Sequence, residues 1–134
     1  MNQIPKNPEA EAFIHEEILV DAYGDEEIAM CWEQFLNDAL GSPFEGLGAS
    51  DPKMEGERYT RMTILGLHPK AEVGIRNVLL LARLPKEDWH FAIRPEDLQF
   101  PEGWEFDPDW EERDEPDPWQ ALYLWCYWKQ HLCR

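Results

Sequence analysis

Apolar residues at Ile28, Cys31, Trp32, Phe35, Leu36, Ala39 and Leu40 recur at intervals that place them on one side of an α-helix, with polar residues between. Gly24 is a permissible N-cap. Asp25, Glu26 and Glu27 then occupy the first turn, where their charge offsets the positive end of the helix dipole. Gly41 follows the last apolar residue and Pro43 prevents resumption. The pattern predicts a helix over residues 24–41 that ends in a left-handed glycine.

Upstream, Ile14, Ile18 and Val20 set against His15 and Glu17 read as a strand over residues 13–20, preceded by a polar arm over 1–9. Downstream, Pro43, Gly46, Gly48, Pro52 and Gly56 punctuate residues 42–56. That stretch reads as one connection of about fifteen residues, long enough to be a functional loop or flap. Residues 58–67, rich in Tyr59, Thr60, Thr63, Ile64 and Leu65, read as a strand ended by Gly66 and His68-Pro69. The continuous apolar run 78–82 is the mark of a strand buried on both faces. Turn residues at 84–88 and a return over 89–93 make a hairpin, and 94–98 is a short turn closing the sheet.

Prolines at 101, 108, 116 and 118 exclude a long helix or a central strand over residues 100–118. This segment reads as an extended surface crossing pinned by Trp104, Phe106 and Trp110. Residues 119–132 form a helix, started by Asp117 or the prolines before it, with apolar side chains nearly all the way round. Such a helix is buried on more than one side or meets another chain. Trp125, Tyr127 and Trp128 lie on adjacent faces, either as a partly exposed hot spot for a partner or packed against Trp104 and Trp110. The fold class is α+β: a small twisted antiparallel sheet, partly barrelled, packed by the first helix and closed by the last. The organisation is a single domain over 1–134, with an arm (1–10), an α+β core (13–99), an acidic crossing (100–118) and a terminal helix (119–132).

Composition sharpens this picture. The 134 residues are 43% hydrophobic and include seven Trp, so the chain folds despite a formal charge of −16. Residues 96–118 hold eleven acidic residues and one basic, Arg113, a net of −10. This balance argues against direct nucleic-acid binding and favours cations or a basic protein surface as partners. No apolar run reaches membrane-spanning length, and residues 1–8 lack the apolar centre of a signal peptide. A cytoplasmic location is expected. Cys31, Cys126 and Cys133 are odd in number and read as reduced thiols.

The carboxylates are the main candidate chemistry. Calcium takes about six to eight oxygen ligands in a forgiving geometry. The turn into the first helix offers Asp21, Asp25, Glu26 and Glu27, and Asp38 stands at that helix's far end. The plain alternative is a solvated face whose acids complement the helix dipole. An EF-hand is excluded: Asp107-Pro108-Asp109 opens like one, but glycine is missing at the sixth position and Pro118 stands at the twelfth. His15, His68, His90 and His131 show no zinc-site spacing, and Cys31 lies on the apolar stripe. No nucleophile elbow, phosphate loop or dinucleotide fingerprint occurs, so no enzyme is expected.

Asp21-Ala22-Tyr23-Gly24, the pair Glu26-Glu27, then Ala29-Met30, Trp32, Leu36, Asp38 and Pro43-Phe44 resemble the CcbP-type calcium-binding family of cyanobacteria and other bacteria. Weaker matches follow at Lys53, Gly56, Leu65-Gly66-Leu67 with Pro69, Phe91-Ala92-Ile93-Arg94-Pro95 with Leu98, and Gln120-Ala121 with Trp125, Tyr127 and Trp128. The resemblance implies a half-open β-barrel binding Ca2+ through acidic loops. Carried over, it makes Asp38 the first ligand and Asp21 the second, with further donors from the loops around Asp51 and Glu72. Two departures stand out. The family's acidic run after the central turn is here His68-Pro69-Lys70-Ala71-Glu72, and Glu33-Gln34-Phe35 replaces an aromatic helix face. The expected function is non-enzymatic calcium binding or buffering. The competing expectation is an acidic inhibitor or immunity-type protein that fills a basic cleft or mimics nucleic acid, using residues 96–118 with Trp125 and Trp128.

Overall fold

The computed structural model describes residues 3–49, 59–69, 77–85, 88, 90–110 and 117–133. Its first element overturns the strand expected over 13–20. Helix α1 (Pro8–Phe13) continues as a wider π-helical turn through Ile14–Ile18. Asn7 decides the conformation. Its side-chain oxygen accepts from the backbone N–H of Glu9 at 3.1 Å and of Ala10 at 3.3 Å. Pro8, at the first helical position, has no N–H that would go unpaired. Ala10, Ile14 and Ile18 then fall four apart on one buried face, whereas Val20, which completed the apparent alternation, is 52% exposed. The polar arm before them is docked: Ile4 is buried and its N–H donates to Gln130 Oε1 at 2.8 Å, while Asn7 N–H donates to the Tyr127 hydroxyl at 2.9 Å.

Helix α2 (Asp25–Ala39) forms with Gly24 as an extended N-cap and with Trp32 and Leu36 fully buried, as the apolar stripe requires. Its exit differs from expectation. Leu40 keeps its N–H on the Leu36 carbonyl at 2.8 Å and buries its side chain, so the core fixes the exit direction. Gly41 therefore needs no left-handed turn. Among the described residues, positive φ is confined to Asp21, Gly66 and Gly103.

Five antiparallel strands follow: β1 (Phe44–Ala49), β2 (Tyr59–Leu67), β3 (Leu80–Arg83), β4 (His90–Ile93) and β5 (Leu98–Gln99), in the order β4-β3-β2-β1-β5. Strand β1 corrects the long connection expected over 42–56. Its glycines mark close approach rather than turns. A Cβ on Gly46 would lie 3.1 Å from the Trp119 ring, and one on Gly48 would lie 2.6 Å from Ile93 Cδ1. Strand β3 is also less enclosed than its composition suggests: Val78, Leu80 and Ala82 are buried, but Leu79 and Leu81 only half so.

The sheet is curled, and its topology requires it. Five strands spaced about 4.8 Å apart would separate the edges of a flat sheet by about 19 Å. Yet the edge strands β4 and β5 are joined through residues 94–97, three of which (Pro95–Asp97) are wound into a 3-10 turn that shortens their reach. Ile93 on β4 accordingly comes against Gly48 on β1, although two strands stand between them in the sheet order.

The last helix fills the resulting trough. Helix α3 (Pro118–Tyr127) continues as a π-helical turn through Trp128–Leu132, with Asp117 Oδ1 accepting from Trp119 N–H at 3.0 Å as its cap. The exposed aromatic strip weighed for Trp125, Tyr127 and Trp128 does not exist: their exposures are 0%, 0% and 5%. Neighbours enclose α3 on every side. Trp32 of α2 meets Trp128 with ring centroids 5.7 Å apart, and Phe44 of β1 meets Trp119 at 5.4 Å. The acidic crossing covers α3 at Tyr123, with Phe106 stacked on that ring at 5.0 Å and Trp104 against it at 5.6 Å, whereas Trp110 packs on Phe13 of α1 and Phe35 of α2 rather than on α3. Residues 111–116 of that crossing lie outside the described residues.

Burial also sorts the cysteines. Cys126 is fully buried, and desolvation above all raises its pKa, so its thiolate is scarce at neutral pH. Cys31 and Cys133 are partly accessible, and none of the three is in a disulfide. A disulfide reagent at pH 8 should therefore titrate at most two thiols in the native protein and the third only after denaturation. Equal reactivity of all three would contradict the packing of α3.

Candidate functional site

The turn between α1 and α2 and the outer face of α2 form one acidic groove of about 610 Å3. Asp21 enters it because the chain must reverse between the helices. Asp21 adopts a left-handed φ of 58°, a conformation Asp tolerates better than most side chains. Glu27, in the first turn of α2, holds that reversal by accepting from Tyr23 N–H at 3.0 Å. Helical spacing then carries the groove along the solvent side of α2, past Glu33, Gln34 and Asn37 to Asp38. The apolar stripe faces the core, so these oxygens face water.

The field here has one sign. Between Lys6 and Lys53 the sequence holds twelve acidic residues and no Lys or Arg. Such a surface concentrates cations and repels phosphate.

The candidate ligands are distributed unevenly. Asp21, Glu27 and Asp38 share the groove. Asp25 lines a different depression, with His15 and His131, and Glu26 is exposed. Asp51 and Glu72 lie outside the described residues. Among the described residues, no three His, Cys, Asp or Glu side chains are grouped so as to hold a metal ion. The carboxylates thus line a common groove without closing a complete ligand shell. Glu33, Gln34 and Asn37 were not singled out as donors from the sequence. Their spacing of six, seven and ten residues from Glu27 on a helix whose core stripe was known would have placed them on this face.

Two comparisons bear on this geometry. The crystal structure of Anabaena CcbP superposes with a TM-score of 0.71 at 24% identity, over 97% of this chain and 96% of that one. A structure described as a calcium binding protein in the calcium-binding form superposes with a TM-score of 0.66 at 25% identity, over 96% of this chain and 94% of that one. No curated protein sequence matches. The CcbP family model, described as calcium binding, matches residues 12–129. That span covers every element from the end of α1 to the π-helical turn after α3, so this chain belongs to the CcbP calcium-binding family.

Proposed function

We propose that this chain binds Ca2+ through carboxylates outside any EF-hand and serves as a calcium buffer rather than a catalyst. The observation that carries the reading is the family match over residues 12–129. The α2 groove supports it on chemical grounds. Its carboxylates and side-chain amides are hard oxygen donors, and among the described residues no Lys or Arg lines it to compete with the ion. Asp38 would hold the ion, water with Glu72 would supply remaining oxygens, and Asp21 and Glu27, about 16 Å or more along α2 from Asp38, would draw cations into the groove rather than ligate the same ion. A buffer needs a site open enough to exchange, and an exposed groove meets that need. The reading as an acidic inhibitor loses its anchors, because Trp125 and Trp128 are inside the protein.

Calorimetric titration with Ca2+ at 0.15 M salt tests the proposal. Saturable heat is expected, together with a rise in melting temperature that a chelator reverses. At free Ca2+ of 100 times Kd, the linkage contribution is about 2.7 kcal/mol. The absence of any saturable heat up to millimolar Ca2+ would reject the proposal.

A further inference from the structure

A second cavity lies apart from the acidic groove and shares no lining residue with it. It is a cleft of about 540 Å3 between the amino-terminal segment, the end of β5 and the start of the crossing. That volume suits a small molecule. Its walls include the rings of Phe100, Trp104, Phe106 and Tyr123, and among the described residues its one charged group is the carboxylate of Glu105.

The rings are held in place. Phe100 and Trp104 stack at 4.8 Å with an interplanar angle of 6°, and Tyr123 takes a hydrogen bond from Asn7 Nδ2 at 3.1 Å. Trp104 Nε1 donates to Asp117 Oδ2 at 3.0 Å, while the other oxygen of the same carboxylate caps α3. That bond does two things. It fixes the indole plane, and it pushes electron density from the carboxylate into the ring, which makes the face of Trp104 more attractive to positive charge.

We infer that this cleft binds a small organic ammonium ion, held by the unstacked faces of Trp104 and Phe106, whose other faces rest on Phe100 and Tyr123, and by the Glu105 carboxylate. Rings of this kind attract cations through their quadrupoles, most strongly for Trp. The site stands within the segment whose net charge is −10, which raises the local concentration of any cation. An inorganic ion would gain little here, because one carboxylate cannot replace its hydration shell. A ligand with an alkylated nitrogen loses less water and gains contact with the rings.

Choline and its uncharged isostere 3,3-dimethyl-1-butanol are suitable probes, titrated calorimetrically at 0.15 M salt. Saturable choline binding is expected, with at least about tenfold weaker binding of the alcohol. Glu105 is exposed, so Glu105→Gln should leave the fold intact and weaken choline about threefold. Trp104→Leu should weaken it about tenfold or more, and Trp104→Phe should fall between, because it keeps a ring without the bond to Asp117. Calcium titrations of the same variants should match the parent, since the two cavities are separate. Equal binding of the two probes overturns the inference, as does no choline binding up to 50 mM. Choline binding that survives Trp104→Leu unchanged would mean loose association with the acidic crossing and would overturn it equally.

Discussion

Truncation of Trp125 to alanine is expected to destabilise the protein by about 3–5 kcal/mol, read from denaturant midpoints and a melting temperature about 10–20 °C lower. Trp125 is fully buried on α3, whose residues from Trp119 to Tyr127 are all buried. Removing its ring leaves a hole in a fully buried place, which the surrounding core fills only in part. The loss has a second part. Lys129 Nζ sits 5.2 Å from the Trp125 ring centroid while it pairs with Glu96 Oε2 at 2.6 Å. Both partners of that pair are about three-quarters buried, so the ring covers a charge that alanine would leave to water or to empty space. A phenylalanine at this position separates the contributions. The Trp125 indole N–H is buried with no hydrogen-bond acceptor among the described residues. Trp125→Phe deletes that unpaired donor along with some volume, so about 1–2 kcal/mol is expected, well below the alanine value. If alanine cost under 1 kcal/mol, α3 would not be the centre of the core. With total stabilities of about 5–15 kcal/mol for ordinary domains, the alanine variant stands close to unfolding.

The same burial shows where the sequence was readable and where it was not. Helix α2 was legible because periodicity, first-turn charge and a stop signal all agreed. The β3–β4 hairpin was legible because a short apolar run, turn residues and a second run followed in order. Two elements were misread for opposite reasons. In α1, Ile14, Ile18 and Val20 mimicked a strand, yet the evidence for a helix lay upstream in Asn7-Pro8, where a side-chain cap and a proline settle the first turn. In β1, Gly46 and Gly48 read as loop punctuation, although their lack of a side chain is what admits Trp119 and Ile93. A glycine needed for close approach looks the same in a sequence as one needed for a turn. The enclosure of α3 was half legible: an all-round apolar helix must be covered, but only tertiary structure shows that its own chain covers it. Of the groove, the acids at both ends of α2 were visible, whereas their shared outlook with Glu33, Gln34 and Asn37 depends on the exact helical phase.

Neutralising Asp38 as Asp38→Asn is expected to weaken Ca2+ binding about tenfold, a change of about 1.4 kcal/mol, because affinity for this ion follows the number of charged ligands. Asp38 is exposed, so the variant should keep the parent's melting temperature in chelator, and the effect should be confined to the calorimetric titration. Glu72 is the other acid on which the proposed site draws, so Glu72→Gln should reproduce the loss seen with Asp38→Asn. The double variant should lose less than the two singles added together, as expected when two side chains hold one ion. Additive losses from Asp38 and Glu72 would mean that they act on separate ions.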